Sequence, residues 1–114
     1  MAISLVRAGA EVEIYDSLIP AMGGNMFNIE PISGDAKVTI ADLRDKRKIK
    51  KAILGKDVIF NLAGTLSHVD SMEDPFFDLD VNCRAQLCLL EASRKYNGAV
   101  KIDFAGTRNQ YRKA

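Results

Sequence analysis

The chain has 114 residues, 47% of them hydrophobic, which is enough for one sizeable core and too few for two ordinary domains. Sixteen basic against fifteen acidic residues give a formal charge of +1, so the electrostatic footprint of a nucleic-acid binder is missing. The two cysteines, Cys83 and Cys88, lie five apart in an apolar run and read as buried thiols in a reducing compartment. Met1 to Val6 is apolar but short, without a basic lead, and runs into Arg7; it is neither a signal peptide nor a membrane span, and a cytoplasmic location is expected.

Ala2, Ile3, Leu5, Val6 and Ala8 form a helical stripe closed by Gly9, with no capping residue ahead of it. Val12, Ile14 and Tyr15 make a strand ending at Asp16-Ser17. Pro20, Gly23, Gly24, Pro31 and Gly34 then predict a loop with room for a helical turn. Lys37 to Ala41 reads as a second strand ending at Asp42. Arg44 to Leu54 follows as a charged helix with Ile49, Ala52 and Ile53 on its apolar side, stopped by Gly55. The basic run from Lys46 to Lys51 is the solvated face of that helix.

Asp57 to Ala63 reads as a buried strand leading to Gly64, and Thr65 to Asp74 as a polar loop. A long helix is expected from Pro75 to about Asn97-Gly98, apolar around much of its circumference and therefore packed on two sides. Val100 to Phe104 is the last strand. Strands separated by crossovers predict an α/β fold with a parallel sheet flanked by helices, whose ligands sit beyond the carboxyl ends of the strands.

The distinctive polar residues fall at those ends. Asp16 is either a turn former or a carboxylate accepting both hydroxyl hydrogens of an adenine ribose, which would favour NAD over NADP. Asp42 is either the cap of the following helix or an acceptor for an adenine amino group, with Leu43 lining the ring. Leu62, Ala63 and Gly64 form either a simple turn or a place where the backbone approaches a flat ligand. Thr107 is a turn residue or a reactive-site hydroxyl. His68, the only histidine, sits in a polar loop with no second histidine or cysteine beside it, so no metal site is expected. Asn82 lies in the apolar helix and needs buried partners, most simply as a link to the neighbouring strand.

In order, Val12-Glu-Ile-Tyr-Asp16, Ile40-Ala-Asp-Leu-Arg-Asp45, Asp57-Val-Ile-Phe-Asn-Leu-Ala-Gly64, Asp74-Pro75, Asp80-Val-Asn82, Leu89-Leu-Glu-Ala92 and Phe104-Ala-Gly-Thr-Arg-Asn-Gln-Tyr111 resemble the extended short-chain dehydrogenase/reductase family. More narrowly they are similar to its NAD-dependent sugar-nucleotide epimerases and dehydratases. The resemblance implies a Rossmann-like domain over residues 1–114 and a nucleotide-sugar substrate. It implies that Asp16 binds the adenine ribose, with Ser17 next to it among the cofactor-binding residues, Asp42 and Leu43 the adenine, and Leu62, Ala63 and Gly64 the middle of the cofactor. Asn82 matches the family's helix asparagine, grouped with the cofactor-binding residues, and Thr107 its catalytic Ser or Thr.

Three departures accompany the resemblance, one being that the family's substrate-binding carboxyl-terminal part has no counterpart in the sequence. The Gly-rich turn that meets the pyrophosphate, with its strand, should precede the first helix and has no counterpart in the sequence. The catalytic Tyr and Lys, four apart, are also missing: Ile19 stands four after Tyr15 and Val100 four after Tyr96. The expectation is a partial NAD-binding domain, inactive by itself, with cofactor binding weak or lost. A non-catalytic Rossmann-like interaction or nucleotide-sensing module is the alternative, while a phosphoacceptor receiver domain lacks its acidic pair. The absent first strand belongs between those ending at Asp16 and Asn61. These two strands are then expected either to pair directly, to recruit another chain, with self-association through exposed edges as the foremost case, or to leave a fragile product.

Overall fold

The computed structural model describes residues 1–65 and 68–106. Helix α1 (Ala2–Arg7) ends beside Gly9, whose φ of +86° is left-handed and stops the helix as its sequence position suggests. Strand β1 (Val12–Asp16) follows. The glycine- and proline-rich stretch after it is more ordered than a plain loop, containing two 3₁₀ segments, Pro20–Met22 and Met26–Ile32. Gly24 is required there, since a Cβ would stand 2.5 Å from the backbone carbon of Leu18.

Strand β2 (Ala36–Ile40) pairs parallel with β1, placing Glu13 opposite Lys37 and Tyr15 opposite Thr39. Helix α2 (Lys46–Ile53) is capped by Asp45, whose carboxylate accepts from Arg47 N at 3.0 Å and Lys48 N at 3.1 Å. Its lysines and Arg47 are exposed, and Ile49 and Ile53 are buried. Strand β3 (Val58–Asn61) then pairs parallel with β4 (Lys101–Phe104).

Between β3 and β4 the structure departs from the sequence reading in two places. The segment expected to be a loop holds helix α3 (His68–Glu73). The expected long helix is helix α4 (Pro75–Leu79), a π-helical turn (Asp80–Arg84) and helix α5 (Ala85–Tyr96), with Asp74 capping the start through Phe77 N at 3.0 Å. Cys83 falls in the π turn and is exposed rather than buried; Cys88 is half-buried.

Ile49 and Ile53 from α2 meet Leu89 and Ala92 from α5, and Tyr15, Leu43, Ile59 and Tyr96 pack around them. Tyr15 belongs to β1 and Ile59 to β3, so this cluster ties the two strand pairs to one helical layer. Asn97 fastens the end of α5 to the α2–β3 connection by donating to Ile53 O and Lys56 O, both at 2.8 Å. The direct pairing considered above does not occur: the strands form two separate parallel pairs, β1-β2 and β3-β4. The outer side of the α4–α5 unit stays open, with Phe76 81% and Leu87 60% exposed.

Candidate site at the carboxyl ends of the strands

Parallel strands bring Asp16, Asp42 and the Leu62–Gly64 segment to the same end of the fold. Asp16 closes β1 with its side chain exposed; its Oδ1 accepts from Leu18 N at 2.7 Å, fixing the carboxylate in a turn in which Leu18 takes a φ of +49°. Among the described residues its other oxygen takes no hydrogen bond. Ser17 is exposed beside it.

Asp42 does not cap α2, a task that falls to Asp45. Its Oδ1 accepts from Arg44 N at 2.8 Å and Arg44 Nε at 2.9 Å, and its Oδ2 from Arg44 Nη2 at 2.6 Å. The Arg44 side chain outweighs burial and holds the Asp42 carboxyl below its ordinary range. Arg44 also donates to Asp80 Oδ2 at 3.1 Å, linking the end of β2 to the π turn. Tyr15 donates its hydroxyl to Asp42 O at 2.9 Å. Burial first, then the charges of Asp45 and Asp42, push that phenol up to about 12, so it stays protonated as a donor. Leu43 is half-buried against the α2–α5 cluster.

The end of β3 is held by the helix beside it. Asn61 is 6% exposed and donates to Gln86 Oε1, while Gln86 Nε2 donates to Ala63 O at 3.0 Å and to Val81 O at 3.3 Å. Leu62 and Ala63 are exposed. Gly64 allows close approach of the helix, since a Cβ there would come 3.3 Å from Asn82 Oδ1.

Asn82 is exposed instead of enclosed, yet its amide is fully engaged. Oδ1 accepts from Thr65 N at 3.0 Å, and Nδ2 donates to Thr65 Oγ1 at 2.7 Å and Asp78 Oδ1 at 2.9 Å. Thr65 Oγ1 donates to the same Asp78 oxygen, closing a triangle. Asn82 is thereby a link from helix to strand-end loop. Thr107, the reactive-site candidate, lies outside the described residues.

The profile of the GDP-mannose 4,6 dehydratase family matches residues 2–114. The chain belongs to this family. It is 29% identical over 115 residues to the CDP-paratose 2-epimerase of Salmonella typhi, a match covering 97% of this chain and 33% of that protein. It is 34% identical over 105 residues to a putative UDP-glucose 4-epimerase of Methanocaldococcus jannaschii, covering 90% of this chain and 32% of that one. The solved UDP-glucose 4-epimerase of Thermus thermophilus, in complex with NAD, superposes with a TM-score of 0.79 at 33% identity, over 92% of this chain and 32% of that one. The GDP-mannose 4,6 dehydratase family member thus spans about a third of the length of these relatives and has their Rossmann-like α/β architecture.

Sequence reasoning missed Gln86, Arg44, Thr65 and Asp78. A signal for the helical pair was present: Asp78, Asn82 and Gln86 stand four apart along a largely apolar helix, a spacing that puts polar groups in one row. The Arg44 contact with Asp80 had no such signal, because it depends on the end of β2 and the π turn meeting across 36 residues of sequence.

The site residues are chemically suited to the adenosine half of NAD. An exposed carboxylate with an open oxygen ends β1, a second carboxylate follows β2 beside Leu43, and a glycine thins the backbone after β3. Among the described residues no helix is long and apolar enough to cross a membrane.

Proposed function

We propose that residues 1–114 form a single partial NAD(P)-binding domain of a sugar-nucleotide epimerase or dehydratase, inactive as this isolated chain. The observation that carries the reading is the Asp16 carboxylate, exposed at the end of β1 with one oxygen fixed and the other open. That oxygen and its neighbour accept the two ribose hydroxyls, and a phosphate at the 2′ position is repelled, which selects NAD. Asp42 and Leu43 receive the adenine, and the exposed Leu62–Gly64 backbone lies along the middle of the cofactor. NAD, when bound, supplies the hydride chemistry that removes and usually returns a hydrogen at the sugar.

Thr107 follows the last strand and would present its hydroxyl to the sugar oxygen. Neither Tyr15 nor Tyr96 has a lysine four residues later, and the Tyr15 phenol is held protonated, so no described tyrosine serves as the general base. The nucleotide sugar is accordingly the substrate of the larger enzyme type, and this chain turns none over.

Isothermal titration of NAD into the chain tests the reading. Weak heat of binding is expected for the natural sequence, less with NADP, and none for Asp16→Ala. Equal heat for the natural chain and Asp16→Ala removes Asp16 from the site. Absence of NAD heat from a well-folded chain favours a non-catalytic Rossmann-like interaction module, and any conversion of a nucleotide sugar by the purified chain overturns the claim of inactivity.

A further inference from the structure

Asp16 ends β1, Asp42 follows β2, and both make the same local contact: each Oδ1 accepts from the backbone N–H two residues on, Leu18 N at 2.7 Å and Arg44 N at 2.8 Å. The rest of each carboxylate is treated differently. An ionised carboxyl offers about four lone-pair sites over its two oxygens. Among the described residues Asp16 uses one of them. Asp42 uses three, because the Arg44 side chain adds Nε to Oδ1 at 2.9 Å and Nη2 to Oδ2 at 2.6 Å. A single acceptor site is left, on Oδ2.

The arginine that occupies Asp42 is itself braced. Its Nη1 donates to Asp80 Oδ2 at 3.1 Å, so each guanidinium nitrogen is committed to a carboxylate. Tyr15 donates its hydroxyl to Asp42 O at 2.9 Å, fixing the main chain of the same residue. An exposed ion pair adds little by its charge alone, but a planar fork closing on both oxygens fixes their orientation. The Arg44 hydrogen bonds also keep the Asp42 carboxyl below its ordinary range, so both oxygens are acceptors at neutral pH. Even so, the Asp42 side chain remains 38% exposed and within reach of a ligand.

We propose, on the reading of Asp42 as the adenine acceptor, that Arg44 is the positioning residue for that recognition, holding the carboxylate so that one Oδ2 lone pair is offered to one N–H. The two acids then differ in the number of donors they accept. Asp16, with an oxygen free, suits the pair of hydroxyls on a ribose; Asp42, with one site, suits a single hydrogen of an amino group.

Amide chemical-shift titration of the full chain gives dissociation constants into the millimolar range and reports at the same time that each variant is folded. The probes are NAD and an analogue with hydrogen in place of the adenine 6-amino group. One hydrogen bond to an ionised acceptor is worth about tenfold, and the natural chain should prefer NAD by that factor. Arg44→Ala should bring the preference below about threefold, and Arg44→Lys, which keeps the charge but not the fork, should do the same. In an Asp42→Ala background, Arg44→Ala should leave NAD affinity unchanged, because Arg44 acts through that carboxylate. A tenfold preference retained in either Arg44 variant overturns the positioning role and leaves the NAD reading intact. So does a further fall in NAD affinity when Arg44→Ala is added to Asp42→Ala. No preference in a natural chain whose NAD binding is lost in Asp16→Ala removes adenine recognition from Asp42, and the role of Arg44 with it. Failure of the folded natural chain to bind NAD at all is the separate failure of the cofactor reading, on which the role of Arg44 depends.

Discussion

Asn61 sits at 6% exposure, where water cannot replace a lost partner, and its amide donates to Gln86. Truncating Gln86 strands that donor and also frees Ala63 O, so Gln86→Ala should cost roughly 1–3 kcal/mol, read as a lower urea midpoint at unchanged slope. Gln86→Glu keeps the acceptor for Asn61 but loses the bond to Ala63 O, and should fall between the two. A midpoint for Gln86→Ala equal to that of the natural chain would mean that Asn61 has another partner. The residue scale also shows what a sequence can disclose. Asp16 and Asp42 were legible as polar residues ending strands, whereas their actual contacts, with Leu18 N and with the Arg44 side chain, depend on local backbone geometry that spacing alone does not specify. The same limit explains the helix cap, which Asp45 provides three residues beyond Asp42.

Among the elements, the two strand pairs share no ladder, and Glu13 is the side chain that straps them. At 7% side-chain exposure its carboxylate meets Lys37 Nζ and Lys56 Nζ, each at 3.0 Å, and accepts from Thr39 Oγ1 at 2.9 Å. Burial alone would raise the carboxyl, but the hydrogen bonds from Lys56, Lys37 and Thr39 together prevail and hold it below its ordinary 4.5. The unfolded chain therefore takes up the proton first as pH falls. The strap's contribution is complete above about 4.5 and is lost as pH drops through the folded-state value. Glu13→Gln should be less stable than the natural chain at neutral pH, with the gap closing under acid; urea midpoints at neutral pH and near pH 3 measure it. A gap that stays constant would show that the charge on Glu13 does not matter. The strands and helices α1, α2 and α5 were legible here from apolar periodicity, whereas α3 lies in a stretch that reads as a polar loop. The π turn was not, since Asp80 to Arg84 carries the same periodic pattern as the α-helix around it, and the turn is defined by an i→i+5 bond from Ala85 N to Asp80 O.

For the molecule as a whole, the α/β order could be read from alternating strands and crossovers. What the sequence could not decide was whether β1 and β3 would share a ladder, and they do not. Without a shared ladder, β1 and β3 are joined through the α2–α5 layer, on whose one cluster Tyr15 and Ile59 both rest. The cohesion of the fold consequently concentrates in a few side chains of that layer, of which Ile53 and Leu89 are each only 2% exposed. Ile53→Ala removes methyl groups from the contact that joins both strand pairs, at a cost of about 2–5 kcal/mol. That is comparable with the whole stability of a small domain, on the order of 5 kcal/mol at the low end of the usual range. Ile53→Ala should therefore lose its cooperative urea transition, while Phe76→Ala, altering a ring that is 81% exposed, should leave the midpoint within about 0.5 kcal/mol of the natural chain. A cooperative transition retained in Ile53→Ala would place the cohesion in the strand pairs and their 3₁₀ and loop connections, and would make the helical layer an accessory to a sheet that stands by itself.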